Sequence, residues 1–108
     1  MFKILIALSL LVVIQGQLAG GFTDRPDLLN DATTRVMVQL SVSELAKTTN
    51  LAVSLIKVVK VATQVVNGIN YRIDFIARPL SSDAVLTCST KIYQSFQGQR
   101  TVSSVGCV

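Results

Sequence analysis

The chain has 108 residues, half of them hydrophobic, with ten basic and six acidic side chains, two cysteines and no histidine. That supplies one compact domain with a modest core and excludes two. Without His, a catalytic thiol or a cysteine metal site lacks its usual partner, no two basic residues are adjacent as a nucleic-acid surface would want, and no phosphate-binding Gly-rich loop or Gly-x-Ser-x-Gly elbow occurs. Neither an enzyme nor a metal or other cofactor is expected.

Met1-Phe2-Lys3 is a short positive start, and Ile4 to Ile14 (ILIALSLLVVI) is a run of apolar residues with one Ser. This reads as a secretory signal peptide. The competing reading is a transmembrane anchor, but a spanning helix needs roughly 20 apolar residues, and this run stops at Gln15. Small residues place cleavage after Gly16 or Ala19, which divides the chain into a leader at 1–19 and a domain at 20–108. The expected product is secreted, free of the membrane once the leader is gone, and monomeric, with a domain-swapped dimer as the alternative. In an oxidising compartment Cys88 and Cys107 read as a single disulfide.

Gly20-Gly21-Phe22-Thr23-Asp24-Arg25 is a lead-in whose glycines argue against regular structure. From Pro26 to about Thr48 the pattern predicts a helix, with Pro26 early and Asp27 and Asp31 in the first turns. Leu29, Ala32, Val36 and Leu40 then form its apolar stripe. Val36, Val38, Leu40 and Val42 also alternate as a strand would; the helix formers Glu44 to Lys47 and the lack of an internal turn residue decide for helix.

Leu51 to Val66 is rich in Val, with its odd positions the more apolar set, and Ile69, Tyr71, Ile73, Phe75 and Ala77 alternate with polar residues. Both read as half-buried antiparallel strands. Between them lies Gln64-Val65-Val66-Asn67-Gly68. A two-residue turn at Asn67-Gly68 would set the poorer apolar face of one strand beside the better face of the other. A three-residue loop of Val66, Asn67 and Gly68 pairs Val65 with Ile69, Val61 with Ile73 and Val59 with Phe75, with Gly68 in the left-handed position.

Pro79 to Asp83 is a turn cluster, and a second hairpin follows around Gln97-Gly98. With those two residues as the loop, Cys88 falls opposite Cys107, and closing a loop of that length is worth roughly 3 kcal/mol in the chain-entropy model. Phe96, taken alone, reads as a core or hairpin-packing residue, Gln64 as an exposed strand residue, and Arg72, Arg78 and Lys91 as a solvated face. The expected fold class is α+β, one helix on a four- to five-stranded antiparallel sheet. Its two hairpin tips lie at one end, within reach of the lead-in.

Gln64-Val65-Val66-Asn67-Gly68 fits the pattern Gln-x-Val-x-Gly in full and is followed by Asn70-Tyr71. With Gly20-Gly21 before the helix, Val42-Ser43-Glu44 late in it, and Cys88 and Cys107 on the last two strands, the chain resembles the cystatin family of cysteine-protease inhibitors over nearly its whole mature length. The resemblance implies a cystatin-like fold and reversible, competitive inhibition of papain-like enzymes, cathepsin L types first among them. The inhibiting surface is a wedge of three parts: Gly20 and Gly21, the loop Gln64, Val65, Val66, Asn67 and Gly68, and the loop Phe96, Gln97 and Gly98. The second loop lacks the Pro-Trp of many members, Asn67 stands where many carry a small residue, and a second disulfide common in secreted members is missing. These departures motivate an alternative, a secreted cystatin-fold binding protein that does not inhibit proteases.

Overall fold

The computed structural model describes residues 21–108; the expected leader and Gly20 lie outside the described residues. In chain order come β1 (Thr23–Asp24), a 3-10 turn (Pro26–Leu28), α1 (Ala32–Thr49), β2 (Val53–Val66), β3 (Gly68–Pro79), β4 (Leu86–Gln94) and β5 (Arg100–Cys107). The strands form one antiparallel sheet in the order β1-β2-β3-β4-β5. One helix packs on a five-stranded sheet, as expected, and the lead-in supplies the fifth strand.

The helix starts later than the sequence pattern suggests. Pro26 opens a separate 3-10 turn, and Asp31, in extended conformation, caps α1 by accepting the Thr33 N–H at 3.2 Å. Asn50, with φ of 58°, ends it in the left-handed conformation. The buried face differs too: Thr34, Met37, Val38, Ser41 and Leu45 point inward, whereas Val36 and Leu40 are 49% and 40% exposed. The true stripe is part hydroxyl, so counting apolar residues selects a neighbouring face. Its central hydroxyl has partners: Ser41 Oγ lies 2.6 Å from Thr90 Oγ1 and 3.0 Å from the Met37 carbonyl, and Thr90 Oγ1 lies 3.0 Å from the Ser104 carbonyl it can donate to. A buried hydroxyl so bonded adds to stability, where an orphan would cost about 1–3 kcal/mol.

Around this bridge Met37, Val38 and Leu45 of α1 meet Val53 and Val61 of β2, Ile73, Phe75 and Ala77 of β3, and Cys88 and Ile92 of β4. The strand β2 keeps its apolar side toward the helix only by changing register twice. Val65 pairs with Ile69 and Val61 with Ile73 as expected, but a bulge at Val59 makes Val58, not Val59, the partner of Phe75, and a second at Ile56 sets Leu55 opposite Ala77. Strict alternation through a 14-residue strand therefore fails, and the two bulged side chains face solvent.

The last hairpin corrects a second expectation. Its loop is Phe96-Gln97-Gly98, closed by Ser95 N–H to Gln99 O at 2.9 Å and Gly98 N–H to Ser95 O at 3.0 Å, rather than the two residues Gln97-Gly98. The tip register is thereby one residue off, and a bulge at Ser103 restores it, so that Cys88 still faces Cys107. The two are joined by a disulfide across a Cα separation of 4.0 Å.

Candidate functional site at the hairpin tips

The turn between β2 and β3 is tighter than its sequence suggests. Val66 pairs with Gly68 across the single residue Asn67, which requires Gly68 to adopt a φ of +118°. Space demands glycine as well. A Cβ at this position would lie 2.5 Å from the Gln94 carbonyl oxygen and 2.7 Å from the Tyr93 hydroxyl. Two independent constraints thus fix one residue of the Gln-x-Val-x-Gly pattern. Its glutamine is held from the neighbouring strand, where Asn70 Nδ2 donates to Gln64 Oε1 at 3.1 Å.

The second loop stands beside the first because β3 and β4 pair up to Ile69 and Gln94. Tyr93, on β4, reaches across and donates its hydroxyl to the carbonyl of Asn67 at the turn. Tyr93 is a residue that sequence reading missed; only the β3–β4 register, which sets it opposite Asn70, brings it to the first loop. Within the second loop Gly98 has a φ of +89° but open space around it. Arg100 Nε donates to Gln94 Oε1 at 2.8 Å, and Gln99 N–H to Ser95 Oγ at 3.2 Å, so the loop's base is fastened on both sides.

What these tips present is apolar. Val65 is 76% exposed and Phe96 is 74% exposed, while Val66, Asn67, Gln97 and Gly98 are also open to solvent. Phe96 is therefore neither core nor hairpin packing, because the three-residue loop turns it outward. Exposed apolar side chains gathered at one end of a small domain mark a contact surface.

The third part of the expected wedge arrives along β2. Thr23 pairs with Thr63 and Asp24 with Ala62, and Arg25 N–H donates to Val61 O at 2.7 Å. Continuing this antiparallel register backward, Gly21 heads for the level of Val65. Gly21 is exposed and a Cβ there would meet nothing within 4 Å. The base of the lead-in is pinned at Arg25, whose guanidinium bonds Asp27 at 2.8 and 3.1 Å and holds that carboxyl below the usual carboxylate range. Among the described residues, Gly21 and both loops are thus brought to one end of the sheet.

A groove of about 470 Å³ beside the β2 bulges is lined by Leu29, Arg35, Ile56, Lys57 and Val59, none of them at the tips. Among the described residues no three of His, Cys, Asp and Glu gather to hold a metal ion.

Residues 20–100 match the family profile of the cystatin domain. The chain belongs to the cystatin family. No curated protein sequence is similar enough to count as a relative, but solved cystatin structures share the fold. A salivary cystatin from the soft tick Ornithodoros moubata superposes with a TM-score of 0.69 at 22% identity, covering 82% of this chain and 97% of that one. Mialostatin, a gut cystatin from the hard tick Ixodes ricinus, gives 0.67 at 18% identity over 82% and 97%. Dimeric human cystatin F gives 0.64 at 13% identity over 86% and 91%. This cystatin thus keeps the family's fold across wide sequence distance.

Proposed function

We propose that this cystatin is a secreted, reversible, competitive inhibitor of papain-like cysteine proteases, cathepsin L types among them. It blocks the active-site cleft with Gly20 and Gly21, the loop from Gln64 to Gly68, and the loop Phe96-Gln97-Gly98. Family membership supports the inhibitory role in general. The observation that carries the finer reading is the convergence of two exposed apolar loops and the lead-in on one ridge, with the first loop fixed by Gly68 and Tyr93.

A loop already held in its bound shape loses little entropy on docking. Blocking a cleft also needs no nucleophile, acid or base, in keeping with a chain that has no His and whose two cysteines are bonded to each other. Phe96 takes the place of the family's tryptophan as the second loop's anchor. Aromatic anchors in a desolvated pocket are worth about 2 kcal/mol or more.

Titrating papain or a cathepsin L-type enzyme with the disulfide-bonded mature protein tests this. Competitive inhibition at submicromolar concentration is expected. A flat curve at micromolar concentration, together with recovery of a partner that is not a protease, would instead favour a cystatin-fold binding protein.

A further inference from the structure

On the sheet face opposite α1 a row of residues runs Asp24, Ala62, Arg72, Lys91, Ser104 across all five strands. Arg72 and Lys91 are direct cross-strand neighbours of like charge, an arrangement that destabilises a sheet unless something offsets it. Carboxylates do not offset it here. Asp24, at the end of the row, lies 3.6 Å from Lys60; Asp74, the next outward residue of β3, stands between Lys60 and Ser89. Among the described residues neither Arg72 nor Lys91 forms an ion pair.

The counterpart is an aromatic face. The guanidinium of Arg72 lies 4.7 Å from the centre of the Phe22 ring, and the ammonium of Lys91 lies 5.9 Å from it. Both fall within the range where a ring's negative face attracts a cation. Phe22 is the residue directly before β1, immediately after Gly21. With Thr23 and Asp24 paired to β2 and the Arg25 N–H bonded to Val61 O, the backbone attachment of this end of the chain is short.

We infer that Phe22 is a positioning residue: seated on Arg72 and Lys91, it clamps the lead-in to the sheet and sets the direction in which Gly21 leaves it toward the tips. This rests on the inhibitory reading above. The clamp uses the chain's own cations, so Phe22 is committed to its own sheet and is not the group offered to an enzyme.

A double-mutant cycle tests the clamp, combining Phe22→Leu, which keeps the bulk but loses the ring, with the pair Arg72→Gln and Lys91→Gln. Two quantities are read in the full disulfide-bonded protein: the inhibition constant for papain, and the hydrogen-exchange rate of the Arg25 amide, which needs no enzyme. Each half of the cycle is expected to weaken inhibition and speed exchange by about threefold to tenfold, and the combined variant to do no worse than either half. Effects that multiply, or unchanged exchange, would overturn the clamp. Faster exchange with unchanged inhibition would overturn the positioning role, as would inhibition weakened by Phe22→Leu but untouched by the Arg72→Gln, Lys91→Gln pair, which would make Phe22 an enzyme contact. Should the unaltered protein not inhibit papain, the inhibitory reading falls, and with it the positioning role, while the exchange rates still decide whether Phe22 clamps the lead-in.

Discussion

The hydroxyl of Tyr93 on β4 donates to the carbonyl of Asn67, the outermost peptide of the neighbouring turn. This one bond ties the two hairpin tips together beyond the ladder between β3 and β4. Tyr93→Phe keeps the ring against Gly68 and deletes the bond. A loss of roughly 0.5–1.5 kcal/mol is expected, appearing as a modest fall in melting temperature and as faster dissociation from papain. Stopped-flow and inhibition kinetics against thermal unfolding would separate the two; unchanged dissociation would show that the first loop keeps its shape without Tyr93.

Gly68 and Gly98 make a matched pair. Gly98→Ala meets only an unfavourable φ and should cost about 1–2 kcal/mol. Gly68→Ala adds a 2.5 Å collision with the Gln94 carbonyl, which forces the backbone to move, and should cost on the order of 3 kcal/mol. Urea midpoints of the two variants decide this, and equal midpoints would mean that the loop relaxes freely.

Phe96→Ala should separate function from folding. At 74% exposure the ring contributes little to the core, so stability should stay within about 0.5 kcal/mol. If Phe96 anchors the second loop, the inhibition constant for papain should rise by about tenfold or more. Measuring both on one preparation is the check.

Ser41→Val looks like an improvement by hydrophobic pattern, since it would add an apolar residue to the helix's inner face. The structure predicts the reverse. Ser41 Oγ sits 2.6 Å from Thr90 Oγ1, too close for a methyl carbon in its place, and the substitution should destabilise by about 1–3 kcal/mol. Calorimetry would show it, and a raised melting temperature would mean that the bridge is dispensable.

The turn at Val65 to Ile69 was legible because Asn-Gly chemistry and two-residue alternation are local properties, and matching the better apolar faces selects the register that Val65 and Ile69 adopt. The helix face was not legible. Its stripe includes Thr34 and Ser41, whose burial depends on neighbours such as Thr90 that are close only in the folded state. The bulges at Ile56 and Val59 likewise leave no mark in a run of β-branched residues. The pairing of Cys88 with Cys107 came out right although the loop did not: the loop is one residue longer than expected, which shifts the tip register by one, and the bulge at Ser103 cancels the shift. For the candidate site, the loop residues could be named from the motif. Tyr93 and the Phe22 seat depend on what faces them across strands, which no local pattern records.

The β2 bulges bear on a different matter, the exposed edge of the sheet. Beyond β1, the outer edge of β2 from Val53 to Lys60 has no strand beside it among the described residues, and an open edge is a template on which another chain can add. Ile56 and Val59 break its spacing, and Lys57 and Lys60 place charge along it, so no long, evenly spaced row of backbone groups is offered for copying. The irregularity that spoils alternation thus also makes the exposed edge a poorer template for another strand.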